Sequence, residues 1–519
     1  MERPRILSID RAVSAARRLV RVAENNCWAQ QLRQRVVPAR QRRSPHPAVT
    51  EPGAPTGASY RAALAWLREH VTFSSLGVGE LGDVIPTLLD CGEPRMALQL
   101  GERLCRVQRP DGSWATDESS VQAASRAVIG LSALKWRSPP VTPALRRGCA
   151  WLLDRPSDGR PLSLPALFGR ASDERASLWA TVALVKAQAR RDEWRPDLQS
   201  AVLLGDEPWQ SWAHGHATAP GLLLDLGRRD EVVAWATRQQ EVQEPDGSLP
   251  AFPRASWTCP TCTALTAAVF CRLGQLASAR RALAYLGSVQ HASGGFPGSQ
   301  GSRASFRPAE LILDGTRAYL DAFHLFLQAS FDEQVEDFSD EVEADDGRLE
   351  IVWREAGDLN GKRVLDAGCG RGCIARALAS RFPAADIWGT DHSELMLSHL
   401  PAGMSRRRGL LQNLPFADGD FDLVICVEAL EHAGNPPGAV AELCRVTRPG
   451  GLVVLVDKNL ERAGALAIEP WEQWFCRGDV AAWLQPFCDQ VQTEAIQHAA
   501  FLGPDLFLSW WGRRRGEVS

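Results

Sequence analysis

Between residues 60 and 330 the apolar positions recur at three- and four-residue steps, as in ALQLGERLCRV and RALAYLGSV, and this spacing predicts amphipathic helices. From about residue 347 the rhythm changes. Short apolar runs, RVLDA, DIWGT, FDLVICV and GLVVLVD, alternate with helical stretches such as CIARALASRF and GAVAELCRVT. That alternation predicts a doubly wound α/β domain with a mostly parallel sheet. The acidic run DEQVEDFSDEVEADD at 332–346 lies between the two rhythms and reads as a solvated boundary. Upstream, residues 1–43 mix Arg with Ala, Val and Leu, and SPHPAVTEPGAPTGAS follows as a linker would. The pattern divides the chain into an extension over 1–59, a helical unit over 60–330, an acidic linker over 331–346 and an α/β unit over 347–519.

The helical unit repeats itself. QRPDGSW at 108–114, QEPDGSL at 243–249 and QHASGGF at 290–296 share a Gln, a turn, a Gly and a large apolar residue. Gln108 and Gln243 lie 135 residues apart, three periods of 45, and a weaker echo falls at Asp158-Gly159. Such a period marks a supersecondary unit that buries its apolar face only against neighbours, and this length holds about six helical hairpins, enough to close a ring. The Gln…Gly…Trp signature resembles the α/α-toroid superfamily of triterpene cyclases and protein prenyltransferase β-subunits. The resemblance implies an all-α toroid. The acid string used by alkene-protonating cyclases has its nearest match in EADD at 343–346, within the acidic linker, and Cys262 lacks companions for a zinc set. The expected role is therefore a binding cup for a prenyl, lipid-linked or glycan ligand. Cys259 and Cys262, in TCPTC, read as two small buried residues entering a helix.

Composition narrows the partners. A net charge of −4 and a pI near 6.2 give no reason to expect nucleic acid. Thirteen cysteines in 519 residues are too sparse for a disulfide scaffold and suit a reducing, bacterial cytoplasm. No apolar run reaches the length of a membrane span.

Chemistry concentrates in VLDAGCGRG at 364–372. A P-loop needs Gly-Lys followed by Ser or Thr, which Arg371-Gly372-Cys373 does not supply. A dinucleotide loop wants a glycine where Cys373 stands. Acid-x-Gly-x-Gly-x-Gly instead resembles motif I of class I S-adenosylmethionine (SAM) methyltransferases. The resemblance implies a Rossmann-like domain with SAM as cofactor, its amino group at Asp366 and its methionyl and ribose portions along Gly368, Cys369, Gly370 and Gly372. It also implies that Asp391, with His392 beside it, takes the ribose hydroxyls. Adenine recognition falls to Leu411 and Gln412, because Leu410 stands where the family often has Asp.

The segment EALEH offers Glu428, Glu431 and His432, and E-x-x-E-H resembles the divalent-metal motif of ubiquinone-pathway O-methyltransferases. That resemblance implies a metal on Glu428, Glu431 and His432; His432 as a metal-free base is the alternative. Lys458, after the GLVVLVD run, is a further catalytic candidate beside Glu431 and His432. Trp471 and Trp474 are candidate substrate-stacking residues. The expected activity is methylation of an oxygen on a small molecule, a glycan or a lipid-linked intermediate. Two rivals stay open: the toroid as a catalytic prenyltransferase, cyclase or glycan-active domain, and a non-catalytic scaffold with a degenerate methyltransferase.

Overall fold

The computed structural model describes residues 55–71, 76–114, 120–154, 172–187, 213–251, 255–304, 306–342, 346–466, 468–497 and 505–516. The Arg-rich stretch, most of its linker, the Asp158-Gly159 echo and residues 343–345 lie outside the described residues.

Helices α1 (Gly57–His70), α2 (Val78–Asp90), α3 (Pro94–Val107), α4 (Ser120–Leu134), α5 (Thr142–Leu153), α6 (Ser172–Lys186), α7 (Ala213–Asp225), α8 (Arg229–Val242), α9 (Pro260–Arg272), α10 (Leu276–Val289) and α11 (Leu313–Glu333) build the first unit. A short antiparallel pair, β1 (Phe296–Pro297) and β2 (Leu311–Ile312), precedes α11. α2, α4, α6, α7, α9 and α11 each pack on the next, and α11 packs back on α1 and α2. The repeated glutamines explain the spacing. Gln108 Nε2 donates to the Gly112 and Ala144 carbonyls, and Gln243 Nε2 donates to those of Gly247 and Ser278. Each clamp ties the turn leaving one helix to the start of a later one. Gln290 Nε2 repeats the geometry on Gly294 and on Ser59, in α1. No helix of the described residues is long and apolar enough to cross a membrane.

The second unit is a seven-stranded sheet in the order β5 (Ser405–Arg408), β4 (Asp386–Asp391), β3 (Arg363–Ala367), β6 (Phe421–Val427), β7 (Thr447–Lys458), β9 (Phe507–Arg514), β8 (Cys488–Ile496). Only β9 runs against its neighbours, so the sheet is mostly parallel. Successive residues face opposite sides. Val364, Ile425 and Val454 enter one apolar layer, and Leu365, Val424 and Val453 enter the other. Helices α12 (Glu350–Glu355), α13 (Cys373–Arg381), α14 (Glu394–Ser398), α15 (Pro436–Val446) and α16 (Arg477–Leu484) complete this unit.

The two units share a polar seam. Arg137, just after α4, grips Glu442 of α15 with both terminal nitrogens, at 2.9 and 2.5 Å. Asn413 bridges Arg137 and Asp90, and Asn435 donates to the Cys91 carbonyl. Trp471 belongs to the helical unit's apolar cluster, edge-on to Phe326 at 5.7 Å.

Candidate functional site

Strand ends create the site. In a parallel sheet the carboxyl ends share one edge, and β3, β4, β6 and β7 deliver Asp366, Asp391, Glu428 and Lys458 to it. A cavity of about 470 Å³ opens there. It is lined by every residue expected to touch the cofactor, from Asp366 through the glycine loop to Asp391, His392, Leu411 and Gln412, except Gly372. Gly372 instead starts α13 with φ of 89°.

Asp366 is buried and accepts the Ala375 N–H through one oxygen. Burial pushes its carboxyl up to about 7, against the pull of that N–H and with a further push from Asp391. A buried carboxylate in this condition is short of a cation. Asp391 accepts from Gly370 N at 3.0 Å and from Ser393 N at 2.9 Å, which fixes the loop against β4. A Cβ added at Gly370 would meet nothing within 4 Å, so the backbone there lies bare to a ligand. These features fit a sulfonium amino acid joined to a ribose.

On the far side of the cavity, His432 Nε2 stands 3.3 Å from Glu431 Oε1, and the Lys458 ammonium contacts the same oxygen. Burial alone would raise the Glu431 carboxyl; the Lys458 ammonium and the His432 ring outweigh it and hold it well below the usual range. Its neighbour Asp457 is raised by burial and by the Glu431 charge. Glu428 does not join Glu431 and His432 as the metal reading expects. Its backbone sits at φ of 49°, and its carboxylate takes Arg348 at 2.7 Å. Glu431, His432 and Glu472 do bring ligand atoms within 4.8 Å of one another. However, Lys458 Nζ also lies 3.8 Å from Glu428 Oε2, so an ammonium holds the space between the two glutamates of the motif. A divalent cation added between Glu428 and Glu431 would meet that ammonium, so these two glutamates with His432 are not arranged to share one.

Trp471 lines the cavity; Trp474 does not, being buried in the apolar layer with Val454 and Trp511. The acidic run also departs from a merely solvated boundary. Asp340 binds Arg371 of the glycine loop with two bonds of 2.8 and 2.9 Å, Glu336 adds a third at 3.0 Å, and Phe338 and Glu341 line the cavity. Cys259 caps α9 and is buried with Cys262, their sulfurs 3.0 Å apart. Residues the sequence did not single out include Arg348, Glu472, and His324 and Phe331 from α11. Phe331 stands edge-on to His392 and His432, at 5.2 and 4.9 Å. The three- and four-residue stripe along α11 marks these residues only as one helix face, not as a site wall.

Residues 365–455 match the family model described as a methyltransferase domain. The chain is 35% identical over 122 residues to a ubiquinone biosynthesis O-methyltransferase of Alkalilimnicola ehrlichii, covering 22% of this chain and 48% of that protein. It is 38% identical over 129 residues to the chloroplastic tocopherol O-methyltransferase of Arabidopsis thaliana, covering 22% and 35%. A ubiquinone biosynthesis O-methyltransferase of Hahella chejuensis is 31% identical over 161 residues, covering 27% and 66%. The chain thus spans about half the length of the curated relatives it matches. Among solved structures, an S-adenosylmethionine dependent methyltransferase from Mesorhizobium loti is 19% identical, covering 33% of this chain and all of that one, with a TM-score of 0.28.

The C-terminal unit is a class I SAM-dependent methyltransferase domain. Its cofactor is SAM, and the curated relatives it resembles carry the names of O-methyltransferases.

Proposed function

We propose that this protein is a SAM-dependent O-methyltransferase for a ring-bearing small molecule, and that its helical unit is a closed α/α ring whose last helix walls the acceptor site. The observation that carries the reading is the Glu431–His432–Lys458 group on the same cavity as Asp366 and Asp391. Ring closure is supported by Gln290, which clamps α1 as the other repeat glutamines clamp the helices that follow them.

SAM, when bound, supplies a methyl group on a sulfonium for in-line displacement. The chain's own task is alignment and one proton. His432 lines the cavity with Nε2 turned to Glu431, and its ring takes the proton of the acceptor hydroxyl. Glu431 orients the ring and stabilises the imidazolium, and Lys458 keeps Glu431 ionised. Phe331 and Trp471 line the cavity with apolar rings, which suit an aromatic acceptor such as those implied by the relatives' names.

The test is full-length protein with methyl-labelled SAM and a panel of phenols, free sugars and lipid-linked sugars. Label on a phenolic oxygen supports the reading in full. Label on a sugar oxygen keeps the O-methyltransferase and replaces the acceptor class. Transfer only to nitrogen, or no uptake of SAM by calorimetry, sinks it.

A further inference from the structure

The acidic run after α11 forms part of the cavity wall. It leaves the helix through a 3₁₀ turn, Val335–Asp337, and Gln334, Phe338, Ser339 and Val342 all line the cavity. Apolar contacts anchor its two ends. Val335 is buried, and Val342 packs against the layer that holds Val364 and Ile374. Between them Phe338 lies against Phe331, with ring centroids 5.8 Å apart.

The rest of the attachment is polar. Arg371, in the glycine loop that lines the same cavity, reaches Asp340 with bonds of 2.8 and 2.9 Å, Glu336 at 3.0 Å and the Val335 carbonyl at 3.2 Å. Arg376 of α13 donates to the Asp340 carbonyl at 2.9 Å. The guanidinium of Arg371 is sheltered, at 11% exposed, but its partners are not: Asp340 is 45% exposed and Glu336 79%. Charge-assisted bonds of this kind hold well, yet they break without uncovering an apolar core, and salt weakens them from the solvent side.

We infer that residues 335–342 are a strap across the cofactor cavity, and that Asp340 and Glu336 are positioning residues whose grip on Arg371 sets how fast cofactor and product leave. This rests on the methyltransferase reading. With the grip made, strap and glycine loop enclose SAM between them. With it broken, the strap swings on Val335 and Val342 and the cavity opens. Because the strap continues α11, cofactor exchange is tied to the helical unit.

The experiment follows release of tritiated S-adenosylhomocysteine from the full chain, chased with excess unlabelled compound, at low and high NaCl. Wild type is expected to release it about threefold faster at about 0.5 M than at about 0.05 M, because the shorter Debye length screens the exposed carboxylates. Asp340→Asn should release it about tenfold faster than wild type at low salt, roughly the worth of one hydrogen bond to a charged group, and lose most of the salt response. Asp340→Glu, which keeps the charge, should restore slow, salt-sensitive release. Glu333→Gln removes the same charge at the exposed end of α11 and should keep the wild-type rates. Wild-type rate and salt response in Asp340→Asn, or an equal acceleration in Glu333→Gln, overturns the inference while leaving the methyltransferase reading intact. Failure of wild type to bind S-adenosylhomocysteine at all overturns both.

Discussion

The helical unit and the methyltransferase unit both place glycines at positive φ, and they do so for opposite reasons. Gly294, at φ of 101°, lets a turn lie against α1, where an added Cβ would come 2.0 Å from the Ala62 carbonyl. Gly247 does the same against Arg281. Gly370, at φ of 51°, has nothing within 4 Å of where its Cβ would be. The first kind of glycine is filled by the protein itself; the second leaves room for a ligand. A glycine turn therefore says nothing about function until its empty side is known; of these three glycines, Gly370 lines the cavity.

The largest way to sharpen this contrast is chemical. His432→Gln should lower the rate of methyl transfer by about 10²–10⁴-fold, with SAM affinity by calorimetry nearly unchanged. A comparable loss of SAM affinity would instead place His432 in the cofactor pocket. Next comes packing: Gly294→Ala should destabilise the chain by about 3 kcal/mol or more, read from thermal unfolding, because strain and a backbone clash combine. Gly370→Ala meets no clash and adopts a left-handed backbone costing about 1–2 kcal/mol, yet it should weaken SAM binding. If both variants melt alike, the distinction between the two glycines fails.

Smaller effects test the carboxylates. Asp391→Ala should weaken SAM binding by about 10–100-fold, the range for hydrogen bonds to a charged group. For Asp366 the sign follows from its raised pKa of about 7. The cofactor's ammonium prefers the ionised carboxylate, so below pH 7 binding must expel a proton, and SAM affinity should fall by about tenfold per unit as pH drops from 7 towards 5.5. A flat profile over that range in wild type, or an unchanged slope in Asp366→Asn, contradicts this. The smallest expected effect is none: a chelator should leave methyl transfer unaltered, because Lys458 occupies the place between Glu428 and Glu431. Loss of activity that returns with a divalent cation would reverse the metal-free assignment.

Much of the architecture was legible from spacing alone. The change from a period of three to four to short apolar runs matches the change from helices to the sheet, and acid-x-Gly-x-Gly-x-Gly pointed to Asp366 and a glycine loop that line the cavity. Trp471 and Trp474, three apart, were indistinguishable in sequence, and folding sent one to the cavity and the other to the sheet's apolar layer. Glu428 likewise looked equivalent to Glu431, until Arg348, 80 residues away in the chain, drew its carboxylate aside. The acidic run read as solvent-facing because charge runs usually are; Arg371 gave two of its carboxylates a partner on the glycine loop.

By itself the sequence determined the element types and the strand-end carboxylates, because local periodicity and backbone sterics act over a few residues. Only the tertiary structure decided that α11 walls the transfer cavity and that His324 stands beside Gln412. Tyr60 and His324 meet across 264 residues of chain, and His324 and Gln412 across 88. Pairings of that range leave no periodic trace: the first is set by α11 packing back on α1, the second by the helical unit meeting the sheet's carboxyl edge.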